Sequence, residues 1–141
     1  MIIYGVLGVL AMQFTLVSAG CAITPDARGH VTISHGVKNI GRAAFYKCTT
    51  LKTITLPGTI THIGNHSFRE SALETISIPA SVIDIGYAAF AQCNHLQTAT
   101  FEILSGPANP ANTKIGDYAF RNCPRLTSVA INDSVTSIGN H

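Results

Sequence analysis

Apolar and polar residues alternate in four six-residue segments of the chain, each of which begins with Leu. The third and fifth residues of each segment are Thr, Ser or Ala, and the segments are 51–56, 73–78, 96–101 and 126–131. A period of two is typical of a strand with one buried face and one exposed face. Because one short strand cannot bury its apolar side alone, we predict that the segments stack as a parallel sheet at a spacing of about 4.8 Å.

A second element, Ile-Gly-x-x-Ala-Phe, recurs between these segments. Its copies begin at Ile40, Ile63, Ile85 and Ile115, at steps of 23, 22 and 30 residues, and the second copy has Ser67 in place of Ala. We expect the Gly to provide a permissive backbone where the chain turns. We also expect the four aromatic side chains of the element to pack as a stack: Phe45, Phe68, Phe90 and Phe120.

Together the two elements predict an α/β-type repeat solenoid with one parallel sheet, mostly turn-like returns and about four and a half coils of 22–23 residues. The step of 30 residues contains an insertion rich in Pro, Gly and Asn, which we predict as a loop over 102–114. A fifth copy of the element begins at Ile138, and the sequence stops before its Phe. We therefore expect a truncated C-terminal repeat, either in a fragment or in a protomer that self-associates through its open edge.

The repeated unit, Ile-Gly-x-x-Ala-Phe-x-x-Cys-x-x-Leu-x-x-Ile-x-Ile-Pro, resembles that of the BspA-like leucine-rich repeats. The resemblance covers roughly residues 30–141, with departures where Ser71 replaces Cys and Ala99 replaces Ile. Proteins of this family are typically surface proteins of bacteria or protists that are implicated in adhesion and protein binding. The resemblance therefore implies a leucine-rich-repeat fold and a binding function outside the cell.

Three of the four cysteines, Cys48, Cys93 and Cys123, occupy the same position of the repeat. Equivalent positions of a solenoid lie on one line, so we predict that these side chains are small buried hydrophobic groups. A disulfide between Cys93 and Cys123 on adjacent coils is the alternative in an oxidising compartment. The sequence has no Cys-x-x-Cys pair, and we predict no metal site and no cofactor.

The first twenty residues carry no charged side chain and are almost entirely apolar. We predict a signal peptide over 1–20 with cleavage after Ala19, a short linker over 21–29 and the repeat domain over 30–141. An uncleaved membrane anchor and a lipid-modified Cys21 are the alternatives. The protein is therefore predicted to be secreted or at the cell surface, and to contact a membrane only through this segment.

Charge and motif content argue against several classes of function. Charged residues make up 11% of the chain, the net charge is +2, and no Lys/Arg cluster suggests nucleic acid as a partner. The sequence contains no G-x-S-x-G, H-E-x-x-H or Walker motif, so we predict no catalytic residue and no enzymatic activity. Two Asn-x-Ser sequons, at Asn65 and Asn132, are candidate glycosylation sites of an exported protein.

The one ordered surface feature is a set of hydroxyl side chains at strand positions that face away from the predicted core. Thr is a good strand former, so β-propensity on an exposed face accounts for this pattern without a ligand. The functional interpretation is a neutral, hydrogen-bonding surface that recognises a protein or a glycan. The alternatives are a passive spacer in a longer surface array and an intracellular scaffold. The residues predicted to form this surface are Thr53, Thr55, Thr75, Ser77, Thr98, Thr100 and Ser128.

Overall fold

The computed structural model describes residues 20–103 and 112–140. Within these two ranges the chain forms strands and turns without a helix, so the solenoid with turn-like returns is confirmed, but its α/β label does not apply. The predicted signal segment up to residue 19 and residues 104–111 of the predicted loop lie outside the described residues. The strands are β1 (His30–Thr32), β2 (Asn39–Ile40), β3 (Thr53–Thr55), β4 (His62–Ile63), β5 (Thr75–Ile78), β6 (Asp84–Ile85), β7 (Thr98–Phe101), β8 (Thr113–Ile115), β9 (Ser128–Ala130) and β10 (Val135–Ile138).

These strands form two parallel sheets, whereas the sequence predicts one. Strands β1, β3, β5, β7 and β9 form sheet A, and strands β2, β4, β6, β8 and β10 form sheet B. Three strands of sheet B have only two residues and end at the Ile of the Ile-Gly element, so that Ile63 pairs with Ile40 on one side and with Ile85 on the other. Two residues cannot display an alternation of polar and apolar positions, which is why the sequence pattern predicts sheet A alone.

A third side of the solenoid, which we call the turn face, joins sheet B to the next strand of sheet A. Its backbone is hydrogen-bonded from coil to coil: the Phe45 N–H donates to the Ser67 carbonyl at 2.6 Å. The Lys47 N–H donates in the same way to the Arg69 carbonyl at 2.9 Å. Each coil is thus hydrogen-bonded to the next on three sides. The turn face consists of segments 41–48, 64–71, 86–93 and 116–123, which belong to coils 1, 2, 3 and 4.

Two residues of every turn-face segment adopt left-handed backbone conformations although none of them is Gly. Their φ values lie between 50° and 59°, a conformation that costs roughly 1–2 kcal/mol for a residue with a Cβ atom. Coil-to-coil hydrogen bonds hold all of them except Asn122 in this conformation, as between the Ala43 N–H and the Asn65 carbonyl at 3.0 Å. The eight residues are Ala43, Lys47, His66, Glu70, Ala88, Gln92, Tyr118 and Asn122.

The Gly of the Ile-Gly element serves close packing and not the permissive turn that the sequence predicts. Gly64 and Gly116 do not have positive φ values. A Cβ atom on Gly64 would lie 2.8 Å from the Ile40 carbonyl oxygen, and one on Gly116 would lie 2.8 Å from that of Ile85. The missing side chain therefore allows the backbones of successive coils to approach each other.

The core lies between the two sheets and the turn face, and a stack of four Phe rings runs through it. Neighbouring rings from Phe45 to Phe120 have centroids 5.1–5.3 Å apart and are inclined by 7° or less. In coil 4, Ala99 pairs with Ile76 of the preceding strand, and the larger, buried Phe101 pairs with Ile78. The predicted aromatic stack is thus present, and the exchange of a large for a small side chain keeps the core filled.

The chain ahead of β1 packs against the first turn-face segment. The Gly20 N–H donates to the Tyr46 carbonyl and the Ala22 N–H donates to the Ala44 carbonyl, both at 2.8 Å. In later coils, the equivalent carbonyls accept hydrogen bonds from the preceding coil. Residues 20–22, at the boundary between the predicted signal segment and the predicted linker, therefore occupy the place of a preceding coil and close this edge of the backbone ladder.

A disulfide fastens this segment to the first coil. Cys21 is bonded to Cys48, with Cα atoms 4.9 Å apart. The structure corrects the interpretation of Cys48 as only a small buried hydrophobic group, and it leaves no Cys21 thiol for lipid modification. The repeat pattern predicts the buried position of Cys48 but not its partner, because Cys21 lies outside the repeat.

The inserted loop is shorter at its C-terminal end than the predicted range of 102–114. Residues Thr113 and Lys114 belong to β8 of sheet B, paired with β6 and β10. Thr113 is buried, and its hydroxyl donates to the Val82 carbonyl at 2.7 Å, which satisfies a polar group in the core. Glu102 and Ile103, the first residues after β7, are exposed.

We expect Gly64→Ala to lower the free energy of unfolding by about 2 kcal/mol, because the new Cβ overlaps the backbone of coil 1. The matched control is Gly41→Ala, where the Cβ atom meets no atom within 4 Å. This control should leave stability unchanged or slightly raised. Urea unfolding of both variants measures the difference, and equal losses would contradict the packing role of the glycine.

We expect the double substitution of Cys21→Ser and Cys48→Ala to lower the free energy of unfolding by about 2–4 kcal/mol, because the cross-link that restricts the unfolded chain is lost. Thermal unfolding with and without a reductant provides the control. Reductant should lower the midpoint of the wild type and leave that of the variant unchanged. A reductant-insensitive wild type would count against the disulfide.

We expect Ser67→Ala to raise the free energy of unfolding by about 1 kcal/mol. Ser67 is fully buried and its hydroxyl has no hydrogen-bond partner among the described residues, whereas the other coils have Ala at this position. The control is Ser81→Ala, which removes a hydroxyl that donates to the Ile60 carbonyl at 2.6 Å and should therefore destabilise the protein. A loss of stability in Ser67→Ala would show that its hydroxyl is satisfied in solution.

Candidate binding surfaces

The seven predicted hydroxyl side chains lie together in two rows on the outer face of sheet A. Strand pairing aligns the first row across β3, β5, β7 and β9, and buried Ile54 and Ile76 separate it from the second row. The first row consists of Thr53, Thr75, Thr98 and Ser128. The second row consists of Thr55, Ser77 and Thr100. We call this surface the hydroxyl face.

His30 extends the first row at the β1 edge, although the sequence analysis does not select it. Its Nδ1 atom lies 2.7 Å from the Thr53 hydroxyl oxygen. Its Nε2 atom lies 3.2 Å from the hydroxyl oxygens of both Thr32 and Thr55. One imidazole thereby holds three hydroxyl groups of two strands. The signal is present in the sequence, because His30 precedes Thr53 by one coil length of 23 residues.

A carboxylate lies beside the second row where the chain leaves β7. The Ser77 hydroxyl donates to Glu102 Oε1 at 2.7 Å. Glu102 is the first residue after β7, so the predicted loop leaves the fold beside the hydroxyl face. The face is therefore uncharged along its rows and acidic where the insertion begins.

The two remaining cysteines are free thiols in the described structure. The Cys93 and Cys123 thiols donate to the carbonyls of Phe68 (2.9 Å) and Phe90 (3.1 Å) in the preceding coil. Burial raises the pKa of the Cys93 thiol to about 12, and burial also raises the pKa of Cys123. Both thiols therefore stay protonated at neutral pH, which makes them poor nucleophiles and poor metal ligands.

The two sequon asparagines have different surroundings. Asn65 is exposed, and its side-chain oxygen accepts a hydrogen bond from the Tyr87 N–H at 2.9 Å. Asn132 is half-buried, and its side-chain nitrogen donates to the Glu102 carbonyl at 2.8 Å. That nitrogen is the atom to which a glycan would be attached. Glycosylation of either residue stays a prediction.

The turn face carries the net charge of the chain, which the sequence analysis does not identify. Four basic and two acidic side chains lie on its segments, and the five basic and five acidic side chains elsewhere cancel, which leaves the net charge of +2 on this face. Burial lowers the pKa of His66, and the positive charges of Arg69 and Arg42 lower it further. The basic residues of the face are Arg42, Lys47, Arg69 and Arg121.

Three further predictions concern membrane contact, metal binding and self-association. Residues 20–103 and 112–140 contain no helix that is long and apolar enough to cross a membrane. They also contain no cluster of three or more His, Cys, Asp or Glu side chains suited to a metal ion. In the last coil, Ile131 and Ile138 are 46% and 49% exposed, and self-association through this edge stays a prediction.

This chain belongs to the BspA-type leucine-rich repeat family. The family model, described as a BspA type leucine rich repeat region, matches six copies of the repeat across residues 27–141. The match includes the coils that form the hydroxyl face and the turn face. None of the curated proteins compared with the chain matches it.

Three solved structures contain a similar fold. A leucine-rich cell surface protein from Faecalibacterium prausnitzii is 33% identical, with a TM-score of 0.56, over 78% of this chain and 37% of that protein. The pneumococcal vaccine antigen PcpA is 26% identical, with a TM-score of 0.70, over 86% of this chain and 30% of PcpA. A leucine-rich repeat protein from Bacteroides ovatus, at 19% identity and a TM-score of 0.52, shares the fold over 79% of this chain and 33% of its own length. The chain thus spans about a third of the length of each of these proteins.

Proposed function

We propose that the protein is a non-enzymatic binding module of the cell exterior, which recognises a protein or a glycan through the hydroxyl face. The observation that carries this proposal is the register of the two hydroxyl rows across successive strands of sheet A. Each hydroxyl is both a donor and an acceptor, and the rows repeat at the strand spacing of about 4.8 Å. Such a surface fits a ligand with regularly spaced polar groups.

The chemistry of the face favours reversible binding of a polar ligand. The rows carry no charged side chain, so the ligand does not have to remove a charge from water. His30 bonds to hydroxyl groups of two strands, which limits the rotamer freedom that binding would otherwise remove. A glycan or an extended polypeptide presents hydroxyl or amide groups that match these donors and acceptors.

Two observations support the cell exterior as the location. The Cys21–Cys48 disulfide requires an oxidising compartment for its formation and persistence. The protein from Faecalibacterium prausnitzii is described as a cell surface protein. Both favour a surface protein over an intracellular scaffold, which would keep these cysteines reduced.

The absence of enzymatic activity is also part of the proposal. The chain matches the BspA-type leucine-rich repeat family, and this match supports a binding module over an enzyme. Burial raises the pKa of the Cys93 and Cys123 thiols, and this removes the two free cysteines as nucleophiles at neutral pH.

We expect the double substitution of Thr55→Lys and Thr100→Lys to weaken binding to immobilised glycans and extracellular-matrix proteins by about tenfold or more. Both residues are exposed in the second row, and each Lys replaces a hydroxyl with a long charged side chain that the ligand must desolvate. An array of such ligands, first screened with the wild type, measures the change.

The matched control adds the same charge away from the hydroxyl face, through Asn94→Lys and Thr136→Lys at two exposed positions. This control should bind as the wild type does, and circular dichroism should show both variants folded. A wild type that binds no ligand on the array would favour a passive spacer. Equal binding by the two variants would place the binding site elsewhere.

A further inference from the structure

The turn face contains a cleft that crosses three successive coils. Its volume is about 250 Å³, and it is bordered by Arg69 on coil 2 and by Tyr118 and Arg121 on coil 4. Small side chains of coil 3, among them Ala91, line it between these residues. This cleft lies away from the hydroxyl face, and nothing in the proposed binding role of that face depends on it.

The cleft is present because coil 3 has small side chains where coils 2 and 4 have large ones, and Ala91 is the one between the two Arg residues. Backbone hydrogen bonds place Ala91 between Arg69 and Arg121: the Glu70 N–H donates to the Ala91 carbonyl at 3.0 Å and the Gln92 N–H donates to the Arg121 carbonyl at 2.7 Å. The two Arg residues occupy the same position of the coil, two coils apart, which corresponds to a backbone separation of about 10 Å. A group that enters above Ala91 therefore has a guanidinium on either side.

Contacts within the protein hold both guanidinium groups in place. Nε and Nη2 of Arg69 donate to the side-chain oxygen of Gln92 at 3.0 and 2.7 Å. The Arg121 guanidinium lies 5.0 Å from the centroid of the Tyr118 ring. Side chains that are already ordered lose less entropy when they bind an anion.

The electrostatics of this region favour an anion. Glu70 lies 3.3 Å from Arg69 Nε and 3.6 Å from Lys47 Nζ, so one carboxylate is shared by two cations. Among the residues that line the cleft, Arg69 and Arg121 carry positive charge and none is acidic. Arg binds a carboxylate with two parallel hydrogen bonds, which makes a carboxylate the matching ligand group.

The remaining lining favours a sugar as the carrier of that carboxylate. The Tyr87 ring makes T-shaped contacts with the rings of His66 and Tyr118, at centroid distances of 5.3 and 5.6 Å, and is still 45% exposed at the cleft. Its exposed part offers an apolar surface for the C–H groups of a sugar ring. The side chain of Gln92 borders the same space; its oxygen accepts from Arg69, and its amide nitrogen can donate to a sugar hydroxyl. A volume of about 250 Å³ lies below the usual range of 300–1,000 Å³ for ligand pockets and suits a single sugar residue.

We propose that this cleft is a subsite for a carboxylate-bearing sugar, with the carboxylate between the guanidinium groups of Arg69 and Arg121 and the sugar ring against Tyr87. The sugar is a sialic acid or a uronic acid at the end or within the chain of a glycan. The site is separate from the hydroxyl face and adds selectivity for acidic glycans to the protein.

The test is titration of the full chain with 3′-sialyllactose and with digalacturonate, which represent the two sources of the carboxylate, followed by NMR or calorimetry. Lactose and digalactose are the uncharged controls, and a hexa-aspartate peptide tests a polypeptide carrier. We expect one of the acidic sugars to bind about tenfold or more tightly than its uncharged control. Arg121→Gln should weaken this binding about fivefold or more, because one of the two guanidinium partners is lost.

Ala91→Arg separates a shaped site from general charge attraction. Arg already stands at this position in coils 2 and 4, so the backbone accommodates it, and the variant gains a positive charge while its side chain fills the cleft. We expect binding to fall to the level of the uncharged control, while Asn94→Lys with Thr136→Lys, which adds positive charge outside the cleft, leaves it unchanged.

Several results would overturn the proposal. They are the same or tighter binding by a folded Ala91→Arg variant, equal affinity for the charged and uncharged sugars, or a hexa-aspartate affinity equal to that of the sugar. Unchanged sugar binding by Arg121→Gln would also overturn the proposal, and this result can be obtained even if Ala91→Arg does not fold. Loss of sugar binding in Thr55→Lys with Thr100→Lys, but not in Arg121→Gln, would assign the sugar to the hydroxyl face instead. This outcome separates failure of the cleft proposal from failure of the proposed function.

Discussion

The close approach of successive coils is the constraint on which the rest of this structure depends. Backbone hydrogen bonds join the coils along sheet A, sheet B and the turn face, so no side chain can stand between neighbouring backbones. Gly64 and Gly116 meet this requirement, because a Cβ atom on either would lie 2.8 Å from a backbone oxygen of the preceding coil. The same hydrogen bonds hold seven of the eight left-handed residues in place and align the stacked Phe rings. Local strain is thus offset by interactions that repeat in every coil.

The sequence predicts what repeats and misses what depends on single residues or on neighbouring coils. The Ile-Gly-x-x-Ala-Phe element is sufficient to predict the coil length, the parallel solenoid and the aromatic stack, because these features recur at one period. Sheet B escapes prediction since its strands are too short for a pattern, and the left-handed positions carry residues as different as Ala43 and Tyr118. Cys21 lies outside the repeat, so no periodicity connects it with Cys48.

The two candidate binding surfaces also differ in how far the sequence predicts them. The hydroxyl face follows from the sequence because its residues occupy equivalent positions in successive strands, and only its His30 edge is missed. The turn-face cleft depends on a difference between coils, since Ala91 is small where Arg69 and Arg121 are large. A search for similarity between repeats does not find a site that is formed by dissimilarity. The result is a solenoid with an uncharged face on sheet A and a positively charged face on the turns.

The cleft also shows how a solenoid can change its ligand without a new fold. Its width is counted in coils: one coil with a small side chain separates two coils that carry Arg. Duplication of the Ala91 coil would move the two guanidinium groups apart by a further 4.8 Å or so, and its deletion would bring them together by the same step. Gain or loss of a whole repeat during replication would therefore alter the length of anion that the surface accommodates in discrete increments, while every new coil interface would keep the contacts of the old one.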